Sequence, residues 1–489
     1  MRIRRGGLSR VVALASTLAA LAVIPAAAGD PRPNVLVAIA DDWGWPHAGA
    51  YDDPVVRTPS FDRVAREGVL FTNAYVSSPS CTPSRGALLS GQAFWRLEEG
   101  ANLHSTLPAG IPVYPDILEE AGYFAGYTRK GWGPGRVEPG GRRRNPAGAR
   151  FRDFEEFLEA RPAGKPFCFW FGSIDPHREY REGSGKERGM KLEDIRLPAC
   201  FPDAETVRSD VADYCFEVER FDREVGGLLA RLEAAGELDR TIVVVTGDHG
   251  MPFPRCKGNL YDTGTRVPLA VRWPGRGKPG RRVADFVSLT DLAPTFLEAA
   301  GLDPPEAMTG RSLLSMLASD ASGRIDPARD HVITGKERHV PCQDAPDSGG
   351  TPMRGIRTDR FLYIRNFRPD RWPAGTPDHE RAYLERCWYG DIDNGPTKLY
   401  MFDHRDDPKV RKLFDLAFGK RPEEELYDLE KDADQLRNVA GDPAYAGTRD
   451  ELWRRLQAAL RAGGDPRVRG EGDRFDAYPY HGGAPKWPR

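Results

Sequence analysis

The sequence predicts an α/β protein with a large, mostly parallel central sheet flanked by helices, plus a smaller C-terminal unit. Four short runs, at residues 34–40, 123–128, 166–173 and 241–246, are mostly apolar and rich in β-branched or aromatic residues. Such runs are typical of strands that are buried on both faces, as in a parallel sheet. Segments with helical periodicity separate them along the chain, as expected when helices connect parallel strands.

The composition is that of an ordinary globular protein. At 489 residues the chain is long enough for one large domain and a smaller one. Its formal net charge is −2, and 40% of its residues are hydrophobic. Because no domain is strongly basic, the sequence gives no reason to expect nucleic acid as a partner.

The first 28 residues are predicted to be a secretory signal peptide. Residues 1–10 contain four arginines, residues 11–24 are apolar and uncharged, and residues 26–28 supply an A-x-A cleavage site. The apolar stretch is too short and wrongly flanked for a good membrane span. We therefore expect an exported protein, periplasmic or extracellular, with no membrane span after removal of the signal.

Each of the four predicted strands is followed by polar or charged residues. Because ligands of open α/β sheets bind beyond the carboxyl ends of the strands, these residues predict a functional site at that edge. Two adjacent acids after the first strand suit a hard cation, although a turn with solvated acids is the alternative. In chain order the residues are Asp41 and Asp42, then Lys130, then Asp175 and His177, then Asp248 and His249.

The remaining elements follow from apolar spacing and turn residues. Predicted helices cover residues 61–67, 114–121, 151–160, 205–238 with an interruption near 226–227, and 292–300, and further strands cover 69–75, 267–273 and 286–289. A Pro- and Gly-rich stretch at 341–351 predicts a boundary. Beyond it we expect a hairpin at 353–357 and 361–367, short strands at 399–402 and 425–429, and a helix at 448–461.

These elements predict three segments. They are a signal peptide (1–28), a catalytic domain (29–345), and a C-terminal subdomain (346–489) with a small antiparallel sheet and a helix. The seven cysteines leave six if Cys81 is used for chemistry, enough for up to three disulfides in an oxidising compartment. Cys168 lies in an apolar strand, so we expect it to be a buried free thiol.

The stretch Ser80–Gly86 is predicted to open a helix. Pro83 suits a first helical turn, where its missing N–H costs nothing. Free N–H groups and the positive dipole end of a helix attract anions, and they are expected to lower the pKa of the Cys81 thiol. Arg85 adds a fixed positive fork that matches a tetrahedral oxyanion. The stretch therefore predicts a nucleophile beside an anion cradle.

The motif C-T-P-S-R, followed by G-A-L-L-S-G, resembles the signature of the type I sulfatases. The resemblance implies an alkaline-phosphatase-like fold and a secreted hydrolase of sulfate groups. It also implies that Cys81 is oxidised to formylglycine (3-oxoalanine), whose hydrated form attacks sulfur. The expected partner for that oxidation is a formylglycine-generating enzyme or an anaerobic maturase.

The resemblance further implies one divalent cation, usually Ca²⁺, and a set of basic groups around it. His249 either binds the cation or hydrogen-bonds the carboxylates from outside. Lys130 and Lys257 are expected to supply positive charge, as is Arg85 within the cysteine motif. His177 in D-P-H is the expected general acid. The expected ligands are Asp41, Asp42, residue 81, Asp248 and His249.

One position departs from the family pattern. Trp132 in R-K-G-W-G replaces the histidine of the family's G-K-x-H motif. Either another group accepts the proton when the diol collapses, or the loop is arranged differently. The stretches D-H-G-M-P-F-P and N-L-Y resemble the heparan N-sulfatase (sulfamidase) branch of the family. They imply a sulfated saccharide such as a glycosaminoglycan, with N-sulfate and O-sulfate both open.

Three residues are candidate sugar contacts, with surface-loop roles as the alternative: Arg178, Glu337 and His339. Two other functions stay open at this point. One is a phosphodiesterase or phosphonate hydrolase of the same superfamily, which would usually need a second metal and further Asp/His ligands. The other is a catalytically inactive glycan-binding protein.

Overall fold

The computed structural model describes residues 32–488, so the predicted signal peptide lies outside the described residues. The strands are β1 (Asn34–Ala40), β2 (Val69–Tyr75), β3 (Phe124–Arg129), β4 (Ala149–Arg150), β5 (Phe167–Gly172), β6 (Thr241–Gly247), β7 (Leu269–Arg272), β8 (Arg281–Ser288), β9 (His331–Lys336), β10 (Met353–Thr358), β11 (Phe361–Asn366) and β12 (Glu424–Asp428). The helices are α1 (Pro59–Glu67), α2 (Cys81–Ser90), α3 (Tyr114–Glu120), α4 (Phe154–Ala160), α5 (Ser184–Glu187), α6 (Glu205–Ala234), α7 (Asp262–Thr265), α8 (Leu292–Ala299), α9 (Leu314–Ala318), α10 (Pro396–Asp403), α11 (Pro408–Phe418), α12 (Ala446–Ala462) and α13 (Arg474–Ala477).

The large sheet has eight strands in the spatial order β4-β3-β5-β1-β6-β7-β2-β8. The four strands predicted first, β3, β5, β1 and β6, are direct neighbours and all run parallel. Within the described sheet, β7 runs opposite to both of its neighbours, β6 and β2. The predicted α/β class with a mostly parallel sheet is confirmed, and the carboxyl ends of β3, β5, β1 and β6 meet at one edge.

Both faces of the central strand β1 are buried, as its apolar sequence predicts. Val37 and Ile39 belong to one core cluster, together with residues of α2 and α8. Leu36 and Ala38 belong to the cluster on the opposite face, which is built largely by α6. Burial of a Val, Leu or Ile side chain contributes about 1.5–3 kcal/mol, so this two-sided burial fixes β1 at the centre of the sheet.

Two predicted elements are corrected by the structure. Helix α6 runs without interruption through Gly226 and Gly227. A Cβ at Gly226 would lie 2.8 Å from Ser60 Oγ, so the glycine allows α6 to approach α1 closely. Burial along α6 outweighs the cost of about 1 kcal/mol for each glycine. Residues 399–402, predicted as a strand, lie in α10, whose second residue, Thr397, is anchored through its backbone N–H to Asp210 Oδ2.

The smaller sheet is antiparallel, in the order β12-β11-β10-β9, and the predicted hairpin forms β10 and β11. Its edge strand β9 precedes residue 345, so the chain enters this sheet before the predicted domain boundary. Helix α12 packs against β10 and β11, close to the predicted bounds 448–461. None of the helices in the described part of the chain is long and apolar enough to cross a membrane.

The described residues form one disulfide, fewer than the three that the sequence would allow. Cys342 and Cys387 form a disulfide, and the other five cysteines are free and buried. Cys168 is among the free thiols, as its position in an apolar strand predicts. The disulfide joins the chain after β9 to the segment that precedes α10.

A buried ion cluster ties the small sheet to the residues after α12. The Arg354 guanidinium on β10 donates to Glu337 Oε1 at 2.7 Å and to Asp465 Oδ1 at 3.0 Å. All three side chains are fully buried. Arg467 adds a second cation at 2.7 Å from Glu337 Oε2. Burying these charges is tolerable only because each one is paired.

We expect Arg354→Leu to lower the free energy of unfolding by about 3–5 kcal/mol, because it leaves two carboxylates buried without their main partner. Arg411→Leu is the matched control, since Arg411 is exposed and pairs with Asp415 one turn away, an interaction worth less than about 1 kcal/mol. Urea unfolding followed by tryptophan fluorescence measures both changes. Equal stability of the two variants would contradict this account.

Candidate active site

The carboxyl ends of four neighbouring strands bring the predicted charged residues together. Asp41 and Asp42 follow β1, and Lys130 follows β3. Lys130 Nζ lies 2.6 Å from both carboxylate oxygens of Asp41. Asp42 has φ = 72°, a left-handed backbone that aspartate tolerates better than most residues, and its N–H donates to Asp248 Oδ1 at 2.9 Å. The ends of β1, β3 and β6 are therefore cross-linked by charged side chains.

Cys81 is the first residue of α2 and lies inside this group. Its Sγ is 3.2 Å from His249 Nε2 and 3.8 Å from Asp41 Oδ1. The helix start was expected to lower the pKa of the Cys81 thiol, but burial raises that pKa instead. At neutral pH the unmodified side chain is therefore a protonated thiol and a weak nucleophile.

Arg85, one turn further along α2, is fully buried and joins three strand ends. Its Nε donates to Asp248 Oδ2 at 2.8 Å, and its Nη2 lies 3.4 Å from Asp41 Oδ1. Its Nη1 donates to the backbone oxygen of Lys130 at 3.0 Å. Although burial opposes charge on Asp248, the positive charges around it, including Arg85 and Lys130, hold the pKa of that carboxyl well below its usual range. Arg85 therefore sets the geometry of the charged residues around Cys81.

The arrangement fits a divalent cation. Asp42, Cys81 and His249 offer ligand atoms within 4.8 Å of one another, and so do Asp41, Cys81 and Asp248. Asp42 Oδ1 is buried without a hydrogen-bond donor in the described residues, a costly state that a cation relieves. His249 Nδ1 lies 3.1 Å from the Gly250 carbonyl, which can only accept, so Nδ1 carries the proton and Nε2 is free to bind a metal.

The second group of basic residues lies on the other side of Asp42. Lys257 Nζ is 2.9 Å from Asp42 Oδ2 and 3.3 Å from His177 Nε2. It is also 2.9 Å from the carboxylate of Asp393, which sequence reasoning missed. Asp393 follows no predicted parallel strand and lies in no recognised motif, so no sequence signal pointed to it. Burial opposes charge on Lys257, but Asp393 and Asp42 raise its pKa well above the usual value, so it is a cation.

The three candidate sugar contacts have different environments. The Arg178 guanidinium forms two hydrogen bonds of 2.8 Å with Asp210, and Glu337 is buried in the ion cluster with Arg354. Both are thus committed to structural contacts. His339 is buried beside the site, with Nδ1 2.8 Å from Ser80 Oγ. Burial, with Lys257, holds the pKa of His339 well below its usual value, so its imidazole is neutral.

Trp132, the departure from the family motif, packs into the core. It is 4% exposed and belongs to the core cluster that includes α2 residues. A Cβ at Gly86 would lie 3.4 Å from its Nε1. An indole N–H can donate a hydrogen bond but cannot accept a proton, so Trp132 is no substitute for a histidine base.

Comparison with known proteins identifies the family. The family profile described as "Sulfatase" matches residues 33–134 and 148–302, and the profile described as "N-sulphoglucosamine sulphohydrolase, C-terminal" matches residues 247–373. An "Ulvan-active sulfatase" of Formosa agariphila is 28% identical over 479 residues, covering 89% of this chain and 76% of that protein. The human "N-sulphoglucosamine sulphohydrolase" is 28% identical over 467 residues, covering 85% of this chain and 87% of that protein.

Solved structures share the fold. BT4656, solved in complex with its substrate D-glucosamine-2-N,6-O-disulfate, superposes with a TM-score of 0.61 at 20% identity, covering 89% of this chain and 98% of that one. The phosphonate monoester hydrolase of Silicibacter pomeroyi superposes with a TM-score of 0.65 at 19% identity, covering 89% of this chain and 97% of that one. Together with the family match, the Cys81 motif and the cluster around it, these findings show that the chain belongs to the type I sulfatase family and is a sulfuric ester hydrolase.

Proposed function

We propose that this chain is an exported sulfatase that removes sulfate esters or N-sulfates from a sulfated saccharide. It would use a formylglycine formed from Cys81 by a maturation enzyme, together with one Ca²⁺. The observation that carries the proposal is the position of Cys81: its Sγ lies 3.2 Å from His249 Nε2, inside a ring of candidate cation ligands and basic groups. The relatives active on ulvan and on N-sulphoglucosamine support a sulfated saccharide as the substrate.

The protein's own side chains prepare the site for a tetrahedral anion. Asp41, Asp42 and Asp248 would hold the cation with His249, and oxygen donors suit Ca²⁺. The cation would supply charge neutralisation for the sulfate oxygens. Lys130 keeps its ammonium 2.6 Å from Asp41, where it adds positive charge on the side of β3. A preorganised positive field of this kind stabilises charge that develops in the transition state.

Residue 81 is placed to carry the nucleophile. The buried thiol itself is unsuited to attack, because burial raises its pKa. Its oxidised form supplies a hydrated aldehyde, with one hydroxyl for attack on sulfur and one for release of sulfate. Arg85 fixes the start of α2 through Asp248 and the Lys130 carbonyl, so that residue 81 faces the cation ligands.

His177 is placed to handle the proton of the leaving group. Its Nδ1 lies 2.6 Å from the Arg178 carbonyl and therefore carries a proton that it donates there. Its Nε2 faces the Lys257 ammonium at 3.3 Å, and 34% of its side chain is exposed. The ammonium and Nε2 therefore share one proton, and this pair is placed to deliver it to a departing sugar oxygen or nitrogen.

The structure also bears on the phosphonate hydrolase alternative. Asp42, His177 and Asp393 form a third group of potential ligands, as a second metal would need. Lys257 Nζ lies within 3.3 Å of an atom of each of these residues, so an ammonium already occupies that position. This supports a one-cation sulfatase over a two-metal phosphoesterase.

We expect Cys81→Ala to abolish turnover of an aryl sulfate and of a sulfated glucosamine, because it removes the precursor of the nucleophile. Mass spectrometry of the residue-81 peptide, after co-expression with a maturation enzyme, should show the aldehyde in the unsubstituted protein. Cys168→Ala is the control, since that thiol lies in the core. Substantial turnover by Cys81→Ala would contradict the proposed function, as would binding of sulfated saccharides without any turnover by the matured protein.

We expect Asp42→Asn to lower metal affinity by about tenfold or more, since it removes the charge of a ligand whose Oδ1 has no other partner in the described residues. Elemental analysis measures the metal, and a chelator should lower the Tm of the unsubstituted protein but not that of the variant. Asp52→Asn, at an exposed position, is the control. Two bound metal ions per chain would favour the phosphoesterase alternative.

We expect His177→Ala to reduce kcat on sugar sulfates by about 10²–10⁴-fold and to affect an activated aryl sulfate much less. The reason is that an activated aryl oxide can leave as an anion, whereas a sugar alkoxide must be protonated as it leaves. His404→Ala, at an exposed position, serves as the control. A loss of the same size on both substrates would argue against the acid role.

A further inference from the structure

Asp393 brings a carboxylate from the C-terminal part of the chain into the catalytic cluster. Its Oδ2 lies 2.9 Å from Lys257 Nζ, the same distance that separates Lys257 Nζ from Asp42 Oδ2. His177 Nε2 is 3.3 Å from the same ammonium. The three N–H bonds of the ammonium are therefore matched by three acceptors. Two of these acceptors, Asp42 and His177, have other tasks in the proposed function.

The charge balance gives Asp393 a specific task. Lys257 is 4% exposed, so its charge needs a buried counter-ion. If Asp42 alone balanced it, the ammonium would compete with the cation for that carboxylate and would move away from His177. Asp393 supplies a second carboxylate to the same ammonium. The ammonium thus has two counter-ions and remains within reach of His177.

The segment that carries Asp393 is anchored just after it by a buried lysine. Lys398 Nζ donates to the carbonyl oxygens of Trp388 and Ile392, at 3.0 and 2.8 Å, and to Asn394 Oδ1 at 2.9 Å. These contacts close the loop around one buried lysine side chain. The position of the Asp393 backbone is therefore defined independently of the catalytic cluster.

A second set of contacts anchors the same segment to β9 and to the chain that follows it. Asp391 accepts from Lys336 Nζ at 2.8 Å and from the Val340 backbone N–H at 2.9 Å. The disulfide between Cys342 and Cys387 joins the same two stretches of chain. Asp393 itself keeps 22% of its side chain exposed.

We propose that Asp393 is a positioning residue for the leaving-group side of the site: it holds Lys257 beside His177 and thereby sets the delivery of the proton to the departing atom. This inference rests on the proposed function. It assigns part of the catalytic geometry to the segment between β11 and α10, which contributes no cation ligand and no nucleophile.

The test is Asp393→Asn in the full-length, matured protein, with Asp393→Glu as the conservative variant. On a sulfated sugar we expect Asp393→Asn to lower kcat by about tenfold to 100-fold with KM changed less than about threefold, and to have little effect on an activated aryl sulfate. Asp393→Glu should recover part of the loss. Metal content and formylglycine content should match the unsubstituted protein. Asp406→Asn, at an exposed position of the same unit, is the control.

The outcomes separate the two claims. If the unsubstituted, matured protein turns over neither substrate, the proposed function fails, and this inference fails with it. If that protein is active but Asp393→Asn retains full activity on the sulfated sugar, the positioning role alone is overturned. It is also overturned if the two substrates lose activity equally, or if Asp393→Asn loses its metal, since a purely structural role would produce those results.

Discussion

The site depends on the mutual neutralisation of charges that are buried together at one edge of a sheet. Asp41, Asp42 and Asp248 are each at most 3% exposed. A buried carboxylate without a partner costs several kcal/mol, so such a group is stable only with cations of matching geometry. Arg85, Lys130 and Lys257 supply these cations, but Asp42 Oδ1 is left with no hydrogen-bond donor in the described residues. That unsatisfied carboxylate oxygen, surrounded by other potential ligands, is what makes a divalent cation a natural occupant.

The parallel sheet is the means by which this charge density is assembled. Because β3, β5, β1 and β6 are neighbours that point the same way, their carboxyl ends lie side by side and need only short loops to present their side chains. Helix α2 then begins at this edge, with Cys81 as its first residue. Two-sided burial of the strands keeps the edge rigid, which preorganised electrostatics requires.

The C-terminal part of the chain contributes a residue to the candidate site. The ion cluster around Arg354 and the disulfide at Cys342 attach it firmly to the rest of the molecule. Through Asp393 it reaches Lys257, which the large domain supplies. The ammonium between Asp42 and Asp393 stands where a second metal would have to bind, so the same contact that joins the two parts also favours one-cation chemistry.

Much of the fold and of the site could be predicted from residue patterns, because these are local. Apolar runs predicted the central strands, and the C-T-P-S-R motif with its charged companions predicted Cys81, Arg85 and the residues after each strand.

Local patterns failed where long-range packing decides: α6 continues through two glycines because it packs on α1, and residues 399–402 are helical because α10 is anchored to Asp210. The sequence by itself thus determined the class, the family resemblance and most of the charged residues that meet at the sheet edge. Only the tertiary structure decided that Glu337 and Arg178 are bound in ion pairs, that burial raises the pKa of Cys81, and that Asp393 joins the site, since each depends on residues brought together from distant parts of the chain.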